Sequence, residues 1–298
     1  MALQNALINV MEKAAQKAGR KLARDFGEVE QLQVSRKGPA DFVSAADTAA
    51  ERIIRSDLEY ARPDFGFLLE EGGEIKGTDP KNSRWIVDPL DGTTNFLHGI
   101  PHFAISIALE QQGEIVVALI YNPITDDTYW AEKGRGAYLN SRRLRVSSRR
   151  SLKDCVLATG IPFAGRPNHK PFLHNLESFM PNVAGVRRFG AASLDLAYVA
   201  AGRFDGFWES DLSPWDLAAG ILIVREAGGS VSTFDGRDRA LETGEILATN
   251  NSIHGPMLRT LQQARKDYRA TLPRLRARSR RRSKRGRRAR RSAPCRAR

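Results

Sequence analysis

Leu3, Leu7, Val10, Met11, Ala14, Ala18 and Leu22 recur at spacings of three and four, which places them on one face of an α-helix at the start of the chain. Ala49, Ile53, Ile54, Leu58 and Ala61 repeat that rhythm and predict a second helix over about 48–61. It is entered after a turn at Lys37-Gly38-Pro39 and stopped by Pro63. Short β-type runs then occupy 65–69, 84–87, 103–109, 115–121, 128–132 and 137–139, separated by Gly, Pro and Asp turns, and predict a meandering sheet. From Ser151 the texture changes. Strand-like runs at 155–158, 186–189, 206–209, 230–232 and 246–249 alternate with helical stretches around 169–180, 192–201 and 216–227. Such alternation predicts layered α/β packing.

The basic link from Arg142 to Arg150 marks a soft boundary, giving an N-terminal α+β half (1–150) and a C-terminal α/β half (151–264). Beyond Leu261 the apolar face fades into Arg, Ser and Ala. Residues 265–298 are therefore expected to form a disordered tail, having too little apolar surface to offset ordering entropy.

Composition narrows the classes. A chain of 298 residues with 41% hydrophobic content is long enough for a sizeable core, which excludes a wholly disordered or collagen-like protein. The longest apolar stretch, Leu217 to Val224, has eight residues. A membrane-spanning helix needs about 18 or more. The N-terminus lacks the apolar core of an export signal, so a cytoplasmic location is expected. Cys155 and Cys295 are too few and too far apart for a disulfide framework or a zinc site. The net charge of +13 is unevenly spread: residues 265–298 hold 17 Lys and Arg against one acid, whereas 1–264 sum to −3. The globular part is mildly acidic, and the positive excess sits in the tail.

Candidate chemistry concentrates in Trp85-Ile86-Val87-Asp88-Pro89-Leu90-Asp91-Gly92-Thr93-Thr94-Asn95-Phe96. A β-run ends in two aspartates three positions apart, which can converge on a hard cation together with the Leu90 carbonyl. The backbone donors after Gly92 can face an anion beside it. Taken alone, Asp88 and Asp91 are better read as a helix-capping turn. More acids stand at element ends: Glu70 and Glu71 after an apolar run, Asp216 opening a helix, and Asp47 ahead of the second helix. Capping explains Asp47 or Asp216 singly, but explains the whole set poorly. Oxygen-only donors select magnesium, calcium or manganese over zinc.

The run from Trp85 to Phe96, with His98 beyond it, resembles the first signature of the inositol monophosphatase family. Trp215-Asp216-Leu217-Ala218-Ala219-Gly220 through Glu226-Ala227-Gly228-Gly229 resembles the second. Similarity extends from the first helix to about residue 264 and includes Lys37-Gly38-Pro39-Ala40-Asp41, Glu70-Glu71, Gly190-Ala191-Ala192 and Ala248-Thr249-Asn250. These are motifs of magnesium-dependent, lithium-sensitive sugar and nucleotide phosphatases.

The resemblance implies a layered α-β-α-β-α sandwich, a homodimer, and hydrolysis of myo-inositol monophosphate by a metal-activated water. It implies two or three magnesium ions: Glu70, Asp88 and the Leu90 carbonyl at the first, and Asp88, Asp91 and Asp216 at the second. Thr93, supported by Asp47, would orient the attacking water with Glu70. Gly92 and Thr93 would hold phosphate oxygens, and Asp91, Ala192 and Glu209 would meet the polyol hydroxyls. The physical logic agrees, because cations that neutralise the phosphoryl oxygens and acidify a bound water act on the main barrier to attack on a phosphomonoester dianion.

Related enzymes act on fructose 1,6-bisphosphate, histidinol phosphate or adenosine 3′,5′-bisphosphate, so these remain alternative substrates. Acids outnumber arginines around the motifs, which disfavours a second phosphate, with Arg187 and Arg188 as the residues able to hold one. Some bacterial relatives partner the transcription antitermination machinery. The basic tail gives that rival reading, non-specific RNA contact, an electrostatic basis, although Tyr268 is its single aromatic.

Overall fold

The computed structural model describes residues 6–27, 34–36, 42–163 and 165–291, with the backbone alone for 34–36, 42–44 and 272–291. The turn expected at Lys37-Gly38-Pro39, with Ala40 and Asp41, lies outside the described residues.

Helices α1 (Ala6–Phe26) and α2 (Ala45–Ala61) flank an antiparallel pair, β1 (Val34–Arg36) and β2 (Phe42–Ser44). The apolar stripes read from the sequence are buried: Ile8, Met11, Ala14, Ala18 and Leu22 from α1, Ile54 and Leu58 from α2. Eight strands follow: β3 (Gly66–Leu69), β4 (Gly73–Ile75), β5 (Arg84–Asp91), β6 (Ala104–Gln111), β7 (Glu114–Asn122), β8 (Asp127–Glu132), β9 (Gly136–Leu139) and β10 (Arg142–Arg143). They form one sheet in the order β10-β9-β8-β7-β6-β5-β3-β4. From β5 to β10 it is the antiparallel meander that the turn spacing predicts, while β3 lies parallel to β5.

After the short α3 (Thr93–Leu97), the later part of the chain supplies a second sheet. Its strands are β11 (Val156–Thr159), β12 (Gly185–Arg187), β13 (Gly206–Glu209), β14 (Ser230–Ser232) and β15 (Ile246–Thr249), in the order β12-β11-β13-β15-β14. The accompanying helices are α4 (His169–Phe179), α5 (Ala192–Ala200), α6 (Pro214–Glu226), α7 (Ala240–Thr243) and α8 (Asn251–Arg291).

Strand alternation sorts side chains into three cores and five layers. In β5, Trp85 and Val87 join the core under α1 and α2, while Ile86 points to the opposite core with Leu194, Ile221 and Ile223 of α5 and α6. In the second sheet Phe207 and Ala248 face that same central core, whereas Trp208 and Leu247 face a third core with Phe179, Ile253, Met257 and Leu261 of α4 and α8. The layers are helix, sheet, helix, sheet, helix. The central helices are enclosed on both sides, and α6 is accordingly apolar all round from Leu217 to Val224.

A buried carboxylate ties the link between the halves to the second sheet. Asp205 is fully buried and accepts bonds from the Ser147 hydroxyl, the Arg149 guanidinium (3.2 Å) and the Val156 N–H (2.8 Å).

One expectation is corrected. Residues 265–298 do not begin as a disordered tail, because α8 runs unbroken to Arg291. Ile253, Met257 and Leu261 anchor its start, and Arg, Ala, Leu and Lys extend a nucleated helix at low cost per residue, against the penalties of Pro273 and Gly286 within it. The first turns past 264 also find partners. Arg265 pairs with Glu245 and lies 4.9 Å over the Phe234 ring, and Tyr268 lies 5.3 Å from the His174 ring. Only 292–298 of the expected tail lies outside the described residues.

Candidate metal centre and active site

Because β3 and β5 run parallel, their C-terminal ends open side by side, and the Glu70 N–H donates to the Val87 carbonyl at 3.3 Å. Beyond Asp88 the register of β5 against β6 shifts: Asp88 pairs with Ser106 but Asp91 with Ala104, a bulge that holds Pro89 where no ladder bond is needed. This bulge re-aims the strand end. The Leu90 N–H donates back to Asp88 at 2.9 Å. Gly92 then turns the chain with φ 94°, and a side chain there would also sit 3.0 Å from the His102 carbonyl.

Asp216 arrives from the other half. It is the third residue of α6, where one of its oxygens accepts the Ser213 N–H at 2.7 Å in a capping box. The capping role and the ligand role therefore coexist in one side chain. Asp88, Asp91 and Asp216 each offer an oxygen within 4.8 Å of the others, the first two buried and the third half-buried. Glu70 stands outside this triad but within hydrogen-bond reach of Asp88.

Crowding and burial make these carboxyls reluctant anions. Burial, then the Glu70 and Asp91 charges, raises Asp88 well above the usual carboxylate range. Burial followed by Asp91 pushes Asp216 up to about 8, and burial followed by Asp47 pushes Glu70 up to about 7. Asp91 is pushed by burial to about 6 against bonds from α5 that favour its charged form. None of the triad forms an ion pair among the described residues. Buried like charges need a cation, and an all-oxygen donor set suits a hard divalent one. The residues present fit a metal ion.

The expected site residues line one cleft of about 340 Å³, which includes Glu70, Asp88, Leu90, Asp91, Gly92, Thr93, Ala192, Glu209 and Asp216. Two details differ from the sequence reading. The single Thr93 hydroxyl proton goes to the Leu90 carbonyl at 3.0 Å, so Thr93 does not donate to Asp47, which is buried and acts on Glu70 through its charge. The Ala192 N–H is directed at Asp91.

Ser193, which no local motif singles out, is the chief partner of Asp91. Its N–H and hydroxyl both donate to Asp91 Oδ2, at 2.7 and 2.5 Å, so the N-terminus of α5 steadies the carboxylate. Arg166 and Arg188 line the cleft, whereas Arg187, on the alternate face of β12, lines a separate groove. Asp195 is a further buried acid near Glu209, raised well above its ordinary range by burial and then by that neighbour. The signals available for Ser193 and Asp195 were a Gly-Ala-Ala-Ser helix start and an acid in an apolar helix. Neither reveals the partner, which for Ser193 lies 102 positions away.

The inositol monophosphatase family model matches residues 3–266. The inositol-1-monophosphatase of Rhizobium meliloti (strain 1021) is 62% identical over 260 residues, covering 87% of this chain and 97% of its own. A protein named Nus factor SuhB from Pseudomonas aeruginosa is 46% identical over 259 residues, 86% of this chain and 96% of its own. Among solved structures, the extragenic suppressor protein suhB of Bartonella henselae superposes with a TM-score of 0.84 at 59% identity, covering 86% of this chain and 98% of that one.

Proposed function

The chain belongs to the inositol monophosphatase family, and from that premise we propose that it is a magnesium-dependent phosphomonoesterase that converts myo-inositol monophosphate to inositol and phosphate. The observation that carries this reading is the triad of Asp88, Asp91 and Asp216 within 4.8 Å, without a basic partner among the described residues. Glu70, Asp88, the Leu90 carbonyl, Asp91 and Asp216 would hold magnesium. When bound, the metal neutralises phosphoryl oxygens and lowers the pKa of a coordinated water.

The remaining work falls to the chain. Glu70 accepts the proton of the attacking water, with Asp47 keeping its carboxyl basic. Thr93, anchored to the Leu90 carbonyl, holds its hydroxyl oxygen toward the same place. The Gly92 and Thr93 backbone, opening α3 from a left-handed residue, presents donors to the phosphate. Glu209, pushed up to about 8 by burial and then by Asp216 and Asp91, can donate to or accept from a polyol hydroxyl. Arg166 and Arg188 add positive charge at the mouth of the cleft, which attracts a phosphorylated substrate.

The same reading makes lithium an inhibitor, the compartment the cytoplasm and the assembly a homodimer. Ile100 and Phe189, whose backbones both bond to Asn95, expose apolar side chains that offer surface for a second copy.

The test is phosphate release from inositol 1-phosphate, fructose 1,6-bisphosphate, histidinol phosphate and adenosine 3′,5′-bisphosphate with and without magnesium, using Asp91→Asn as the blank. Lithium-inhibited preference for inositol 1-phosphate is the expected result. Wild-type rates in Asp91→Asn would refute the ligand assignment.

A second reading rests on the 17 basic residues of 265–298, most of them borne on α8 beyond the packed core. They suit non-specific RNA contact that weakens steeply with salt. A chain ending at Thr271 keeps the packed turns of α8. It should retain phosphatase activity and lose salt-sensitive RNA retention in a gel-shift assay.

A further inference from the structure

Gly160 directly follows β11, and Glu209 is the last residue of β13; both line the catalytic cleft. The two strands run parallel, with Leu157 beside Gly206, Ala158 beside Phe207 and Thr159 beside Trp208, so the next step sets Gly160 beside Glu209. Alternation decides which way they face. Leu157 and Trp208 join the core with α4 and α8, whereas Ala158 and Phe207 face the central core with α5 and α6. Two positions beyond Ala158 and Phe207, Gly160 and Glu209 turn to that same central layer, which carries Asp216 at the start of α6.

The space between them leaves no room for a methyl group. A Cβ on Gly160 would have Oε1, Cδ and Oε2 of Glu209 as its three nearest atoms, all at overlapping distance. The Glu209 carboxylate therefore lies across the end of β11, in the place where any other residue would carry its own side chain. The strand ends are held against parting, because the buried Thr159 hydroxyl donates to the Trp208 carbonyl at 2.7 Å. Gly160 itself lies outside the left-handed region, so alanine meets no backbone strain there. The clash is relieved at the flexible end of Glu209, which must take another rotamer.

The position of that carboxylate matters to the alcohol half of the ester. The charges of Asp216 and Asp91, and those of Arg188 and Arg166, all act on it, which sets it beside the ligand triad. With phosphate held at Gly92 and Thr93, Glu209 is an acceptor for a hydroxyl on the leaving alcohol. Such a bond is lost once the atoms move apart beyond about 3.5 Å, and a misplacement of about 1 Å is enough to be felt in the rate.

We propose that Gly160 is a positioning residue for the alcohol side of the site. By lacking a side chain it gives the Glu209 carboxylate its resting place, and it thereby sets the preference for polyol monophosphates over esters whose alcohol has no further hydroxyl. The inference rests on the phosphatase reading above and deepens it.

The full-length protein with magnesium is assayed on inositol 1-phosphate and on phenyl phosphate, whose alcohol has no second hydroxyl. The readout is the ratio of the two kcat/KM values. Gly160→Ala should lower the ratio about tenfold, the size of one lost hydrogen bond, and Glu209→Ala should lower it by a similar factor. In the double variant Gly160→Ala should add less than twofold to the effect of Glu209→Ala, since the side chain that the methyl displaces is already gone. A general loosening of the fold would slow both esters together and leave the ratio in place.

The inference is overturned, with the phosphatase reading left standing, if the ratio survives either single substitution or if the two losses multiply in the double variant. If Gly160→Ala alone does not fold, recovery of folding in the double variant supports the contact, and failure of both to fold overturns it. If folded wild type releases phosphate from neither ester, the phosphatase reading falls as well.

Discussion

Ser193→Ala isolates the contribution of one hydroxyl to metal affinity. In the folded protein Asp91 Oδ2 takes two bonds from Ser193, one from the N–H at 2.7 Å and one from the hydroxyl at 2.5 Å, and the Ala192 N–H is directed at the same carboxylate. Alanine keeps both backbone donors and removes only the hydroxyl. A hydrogen bond to a charged group contributes about 1.5–3 kcal/mol. At about 1.4 kcal/mol per factor of ten, that energy corresponds to roughly a tenfold to hundredfold change in affinity. This is also the range in which partners that orient a metal ligand usually act.

Ser193 is completely buried at the start of α5, where alanine suits a helix, so the fold should survive. The assay is initial rate against magnesium concentration, with the urea midpoint measured in parallel. The half-saturating magnesium should rise at least tenfold, and the maximal rate at excess metal should largely recover. An unchanged metal requirement in a folded variant would show that Asp91 does not ligate through the carboxylate Ser193 holds.

Two further outcomes concern the scaffold. Asp205→Ala leaves the Val156 N–H and the Ser147 hydroxyl without their buried acceptor. It should cost about 2–5 kcal/mol in urea unfolding, at about 1–3 kcal/mol for each of the two donors left unmet; a loss below about 1 kcal/mol would refute the tie between the link and the second sheet. His102 is held by burial at about 4, below its ordinary 6.5, so the folded state resists the proton that the unfolded chain accepts. That contribution is complete above pH 6.5 and is lost as pH falls toward 4. The stability of wild type relative to His102→Gln should therefore decline across this window, and a flat difference would contradict it.

Much of this architecture was legible because it is periodic. The alternation in β5 to β9 assigns faces to side chains, and the all-apolar run of α6 has no reading except enclosure on both sides. The candidate ligands were legible for a different reason: acids at the ends of apolar runs have few structural uses. What escaped depends on distance. Ser193 meets Asp91 across 102 positions, and Arg166 and Arg188 reach the cleft from loops whose course no local rule predicts. For the tail, composition reports the absence of a core but not the presence of an anchor. Leu261 and Tyr268 carry α8 past the point where its own apolar face ends.

Asp88 and Asp91 close a strand of the first sheet, and Asp216 opens a helix wedged between the two sheets. An ion lodged among them is thus a fastener between parts of the chain more than a hundred residues apart. Without it, the crowded carboxyls of Asp88 and Asp216 take up protons at that shared edge. A ligand that binds only the folded state adds about 2.7 kcal/mol at a hundredfold excess over its Kd. The melting temperature of this protein should therefore track free divalent cation, turning the catalytic ion into a gauge of the cohesion of the whole stack.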